Sequence, residues 1–164
     1  MVATGHTAVG VIVGTIVYQT LGQGHLTSGL IITGTAAITL HYLGDAIPHG
    51  HFFMTKDFKK SILPVITFDV LLPVLVFLSV IYLKNGLGEK FLYIMFSIGC
   101  SLFPDVIDGL IYTGVLKAKS ILKIENDLHQ KLHWHDRDFA AMPLGPHDIW
   151  QVIIILIALY FSIL

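Results

Sequence analysis

Two pairs of side chains in this sequence have the types and spacing to hold a metal ion. His41 and Asp45, in HYLGDAIPHGHF, stand four residues apart, so on a helix both project from one face. Asp105 and Asp108, in SLFPDVIDGL, stand three apart and again share a face. Imidazole nitrogen and carboxylate oxygen together suit zinc, and accept manganese or iron as well. Pro48 ends the first helix. His49 or His51 can then fold back onto the same ion, with His51 preferred. The plainer alternatives are an interfacial histidine beside a helix-ending aspartate, and acids capping a helix that restarts after Pro104. Capping accounts for Asp105 but leaves Asp108 as an extra charge in an apolar run. A carboxylate bridging two ions explains it better.

Other groups join them. His6 follows Gly5 just ahead of an apolar run, in the N-cap region of a helix, and is a candidate ligand. Asp69, isolated in FDVLLP, is a ligand, a group behind a ligand, or the acceptor of a proton from water. The segment HQKLHWH holds His129, His133 and His135. His133 or His135 completes the site, the alternative being simple interfacial polarity. His25 and His147 are structural.

The elements that carry these residues are apolar. Of the 164 residues, 54% are hydrophobic and only 13% charged, against about 25% charged in soluble domains. Mean hydropathy is +0.76. The chain therefore reads as an all-α integral membrane bundle, one domain over 1–164, with five spanning helices. These are expected near Thr7–Leu21, Ser28–Ile47, Ile62–Leu83, Lys90–Leu116 and Asp148–Leu164, the fourth broken by Pro104. Gly10, Gly14, Gly29, Gly34, Thr33 and Thr35 suit close helix packing in lipid. An amphipathic helix over about 117–135, with Ile121, Ile124, Leu128 and Leu132 as its stripe, is expected to lie in the headgroup plane. The N-terminus lacks a basic flank and His6 interrupts it, so no cleavable signal peptide is expected. The single Cys100 sits in an apolar run and reads as a small buried residue.

Five spans place Lys56, Lys59, Lys60, Lys117, Lys119, Lys123, Lys131 and Arg137 on one side, and only Lys84 and Lys90 on the other. The positive-inside rule then puts the N-terminus in the cytoplasm and the C-terminus outside an inner or plasma membrane. That map, drawn from Lys and Arg alone, gathers every histidine except His25 at the cytoplasmic end. Acids near hydrocarbon cost at least about 2.5–3.5 kcal/mol each, so they need partners, and a bound metal is the economical one. A net charge of −1 gives no reason for a nucleic-acid partner.

Two family resemblances follow from these motifs. HYLGDAIPHGHF resembles the H-x3-D-x5-H segment of the zinc-dependent phospholipase C and single-strand nuclease group, all-helical hydrolases with multi-zinc sites that cleave phosphodiesters. It implies His41, Asp45 and His51 as ligands, with His6 similar to their early histidine. Asp105 and Asp108 take the place of their later H-x3-E pair, which has no counterpart here. The second resemblance is to small inner-membrane proteins of the metal-dependent hydrolase-like type. It rests on Gly5-His6, Pro104-Asp105 with Asp108, His129 to His135, and His41 with Asp45. The acid pair here is spaced one residue wider, and H-x3-D precedes it in the chain.

Together these imply a membrane-embedded hydrolase that cleaves a phosphoester of a lipid at the cytoplasmic interface. It would use one or two zinc ions and water, with Asp69, Asp45 and Asp108 as catalytic acids. Its partners would be membrane lipids and a lipid-like or phosphorylated substrate, and a homo-oligomer is compatible. A divalent-cation or proton-coupled transporter, or a metal-stabilised subunit without turnover, is the alternative.

Overall fold

A computed structural model of the chain describes residues 2–47, 63–132 and 148–163, and these form six helices and no strand. They are α1 (Ala3–Leu21), α2 (Leu26–Asp45), α3 (Val65–Asn85), α4 (Glu89–Tyr112), α5 (Ile121–Leu132) and α6 (Ile149–Ile163). Helices α2, α3 and α4 are long and apolar enough to cross a membrane; α6 is a shorter apolar helix of 15 residues. Most of the surface of the three long helices faces outward and is apolar, with Ile31, Leu75 and Leu83 exposed. That is the pattern expected where the surrounding solvent is lipid.

α1 occupies the middle. It packs on α2, α3, α4 and α6, and is buried over most of its length. A central helix meets protein on every side, so it is built of small residues rather than large apolar ones. Gly10 and Gly14 face α4 so closely that a Cβ would lie 2.7 Å from the Ile98 Cα and 2.6 Å from the Ile94 Cα. On α2, the space beside Gly29 is filled by the Tyr93 ring, whose hydroxyl donates to the His25 carbonyl at 2.9 Å. Gly34 packs beside Phe96 and Cys100. Thr33 is buried, whereas Thr35 is exposed and bonds back to Ile31 O.

Two local expectations change. α1 begins at Ala3, not Thr7, so His6 lies inside the helix rather than in its cap region. The reason is non-local. Val2 offers no side-chain cap, and the free N–H groups of the first turn are taken by other helices. Asp69 accepts from the Ala3 and Thr4 amides (3.3 and 3.0 Å), and the Gln151 side chain accepts from Val2 N (3.0 Å). α4 also runs through Pro104 without a break. The missing N–H removes one intrahelical bond, which neighbouring helices make tolerable in a bundle. A further feature is a π-helical turn, Val65–Leu71, at the start of α3. Pro73 supplies no N–H to the Asp69 carbonyl four residues back, and that carbonyl accepts the Thr4 hydroxyl at 3.2 Å.

Gly14→Val forces α1 and α4 apart. It should destabilise the bundle by about 1–3 kcal/mol, seen as a lower midpoint of thermal unfolding in detergent. Gly99→Ala, with open space at the Cβ position, should leave the midpoint unchanged or raise it.

Candidate metal centre

Four helices bring their functional groups to one end of the bundle. His6 comes from the first turns of α1, His41 and Asp45 from the last turn of α2, Asp105 from the C-terminal part of α4, and His129 from α5. His6, His41 and His129 are fully or almost fully buried, as is Asp45. Asp105 keeps 33% of its side chain exposed and so marks the open side.

All three imidazoles aim Nε2 at the two carboxylates. His6 Nε2 lies 2.9 Å from Asp45 Oδ1, and His41 and His129 Nε2 each lie 2.9 Å from Asp45 Oδ2. The same three nitrogens are 3.8, 3.8 and 3.6 Å from Asp105. His41 and His129 Nε2 are 3.2 Å apart, and the His6 and His41 rings stack with centroids 3.9 Å apart. Two donors bound tetrahedrally to one ion at 2.0–2.1 Å sit about 3.3–3.4 Å from each other. The observed spacings bracket that value. His6, His41, Asp45 and Asp105 each offer a ligand atom within 4.8 Å of the others, so this group is able to hold a metal ion.

The rings are also oriented for ligation. His41 Nδ1–H donates to the Ser101 carbonyl at 2.7 Å, which fixes the tautomer whose free lone pair is on Nε2. Ser101 lies in the turn that Pro104 loosens, and its hydroxyl donates to the His6 carbonyl at 2.8 Å. One residue thus ties α1, α2 and α4 together at the level of the cluster. His129 is held on its other side: Nδ1 lies 3.0 Å from Asp108 Oδ2. Asp108 in turn accepts from the Asn126 and Gln130 amides at 2.6 and 3.0 Å. Glu125, four residues before His129, is 4.0 Å from Nδ1 and accepts the Tyr42 hydroxyl at 3.0 Å. Asp108, Glu125 and His129 form a second group that could hold an ion.

Burial alone would lower the His129 pKa, but the hydrogen bonds to Asp108 and Asp45 and the field of Asp105 hold it up at about 10. Burial pushes Glu125 up. Carboxylates crowded around one imidazole demand a cation, and a proton or a metal ion meets that demand.

Of the expected ligands, His6, His41, Asp45 and Asp105 come together. Asp108 stands behind His129 rather than facing the other imidazoles. Asp69 is elsewhere: its carboxylate is engaged at the start of α1, where it also accepts the Thr4 hydroxyl at 2.7 Å. There it complements the positive end of the helix dipole and fixes the turn that carries His6. His49, His51, His133 and His135 lie outside the described residues. Of the three histidines of HQKLHWH, among which His133 or His135 is the expected ligand, the described one, His129, joins the cluster; Glu125, Tyr42 and Ser101, which no motif singles out, stand beside it. One signal was available: Glu125 and His129 are spaced i, i+4 on the side of α5 adjoining its apolar stripe.

No family model, no curated protein and no solved structure matches this chain. The family resemblances above therefore rest on their motifs alone.

Asp45→Ala removes the carboxylate that touches all three imidazoles. It should abolish stoichiometric zinc in the purified protein, read by elemental mass spectrometry, and with it any loss of thermal stability on adding a chelator. Asp69→Asn should instead keep the metal while lowering stability by about 0.5–2 kcal/mol through the weakened helix start. Metal lost in Asp69→Asn, with the fold intact, would make Asp69 part of the centre.

Proposed function

We propose that this protein is a membrane-embedded, metal-dependent hydrolase acting on a phosphoester of a lipid. The observation that carries the reading is the convergence of three Nε2 atoms and two carboxylates at one end of the bundle, with one carboxylate open to solvent. Structural metal sites are closed; catalytic ones keep a side free. A divalent ion held there, zinc in the first instance, supplies Lewis-acid polarisation and water activation.

The chain's own residues do the rest. His6, His41 and Asp45 form the buried wall of the site and exclude water from its back. Asp105 lines its mouth. Asp108 keeps the His129 ring in place, and Ser101 does the same for His41, so the ligands need little reorganisation as charge develops. In the five-span arrangement, α1 and α6 cross the membrane beside the three long helices. The site then lies at the interface where lysines gather, near lipid phosphates.

One set of observations favours a cation transporter as a second reading. Thr15, Thr33 and Ser97, on α1, α2 and α4, carry buried hydroxyls without partners among the described residues. A cavity of about 400 Å³, lined by polar residues that include Gln19, Asn85, Glu89 and Lys90, opens where α1 ends and α4 begins. That is the end of the bundle opposite the cluster. Polar groups at both ends and in the middle are what a path across the membrane requires.

Zinc-loaded protein in phospholipid nanodiscs should release phosphate or a phosphorylated headgroup. Asp105→Asn and His41→Ala should each lower the rate by at least about a hundredfold. Full turnover in Asp105→Asn would remove the chemistry from this cluster. Zinc uptake into proteoliposomes that Thr33→Val blocks, with no phosphate released, would establish the transporter instead.

A further inference from the structure

α5 reaches the metal centre in an unusual way: among the described residues it meets the bundle through polar groups and leaves most of its apolar stripe exposed. Of its twelve residues only His129 is buried. Its contacts to the bundle include the Asn126 and Gln130 bonds to Asp108, the Tyr42 bond to Glu125, and His129 on Asp45 and Asp108. Ile121, Ile124 and Leu128 are 75%, 70% and 46% exposed.

At about 100° per residue, Glu125, Asn126 and His129 centre on one direction, and Ile121, Ile124 and Leu128 on another about a third of a turn away. The stripe therefore points sideways, neither into the bundle nor directly away from it. Val115 and Tyr112, at the end of the adjoining α4, are also exposed. Over residues 117–132 the exposed charges are Lys117, Lys119, Lys123 and Lys131 against the single acid Asp127. An apolar stripe with Lys131 at one border, on a segment that also exposes Lys117, Lys119 and Lys123, is matched by the headgroup region of an anionic bilayer.

We propose that α5 lies on anionic lipid, and that this contact seats His129 in the metal centre, so that lipid charge sets metal affinity. The proposal rests on the metal-centre reading given above. His129 is the one residue of the cluster not carried by α1, α2 or α4, and among the described residues Ile121, Ile124 and Leu128 of its helix stay exposed. What holds α5 down is then shared between the cluster and the membrane. By linkage, lipid that favours the seated helix tightens metal binding, and metal tightens the helix on lipid by the same factor.

The test is zinc affinity, measured by competition with a chelating dye, for the full chain in two kinds of nanodisc. One is phosphatidylcholine alone; the other is phosphatidylcholine and phosphatidylglycerol in equal amounts. The expected result is binding at least about tenfold tighter in the anionic discs. The gain should vanish when Lys117, Lys119, Lys123 and Lys131 are all changed to Gln. His129→Ala, which keeps the other four ligands, should bind more weakly and equally in both lipids. Equal wild-type affinity in the two lipids overturns the proposal while leaving the metal centre standing. A His129→Ala variant with the wild-type lipid dependence also overturns it, because anionic headgroups are then merely concentrating zinc. No zinc bound in either disc overturns the metal reading and this proposal with it.

Discussion

The arrangement depends on one unfavourable circumstance, which is negative charge collected inside an apolar bundle. Asp45 is almost fully buried and has three imidazole nitrogens at 2.9 Å. A carboxylate in such a place is costly unless a cation stands against it. Neutral imidazoles supply lone pairs rather than charge, so the counter-charge is a proton, as on His129 with its pKa held up at about 10, or a metal ion. A metal ion among them would turn mutual repulsion into ligation, with Asp105 at the open side. The fold around the cluster can then be understood as what is needed to bring ligand atoms of His6, His41, Asp45 and Asp105, from three helices, within 4.8 Å of one another, with His129 of a fourth helix against Asp45.

That requirement shapes the central helix. α1 must bring His6 to the cluster while being surrounded by protein, so it is small-sided, and its glycines let α4 approach to backbone contact. Its first turn is satisfied by Asp69 and Gln151 from two other helices. Gln151 is itself tied to Asp148 at 2.8 Å. The π-helical turn of α3 and the loosened turn of α4 occur beside these contacts, where Asp69 and Ser101 use backbone or side-chain oxygens to tie helices together. The π-helical turn is thus close to the contacts that fix the start of α1.

Much of this was legible in the sequence. The apolar runs located the helices, and the i, i+4 spacing of His41 and Asp45 put both on one face. The Lys and Arg distribution indicated that His6, His41, Asp45 and Asp105 share an end. What could not be read was rotation and long-range capping. Asp69 looked like a buried acid in search of chemistry because its partners, the Ala3 and Thr4 amides, are far away in the chain. Which side of α5 meets the bundle is set by the bonds of Asn126 and Gln130 to Asp108, and these put His129 on that side. Asp108 shares a helix face with Asp105, yet one turn of rise is enough to place it behind a ligand.

The central claim is that imidazoles from α1, α2 and α5 bind one ion together with Asp45 and Asp105. X-ray absorption at the zinc edge of the metal-loaded protein in membranes tests this most directly. The account predicts a first shell of nitrogen and oxygen at about 2.0–2.1 Å with the outer-shell scattering of several imidazoles, a signal that His6→Ala and His129→Ala each reduce. A shell of oxygen alone, or a spectrum unchanged in both variants, would contradict it.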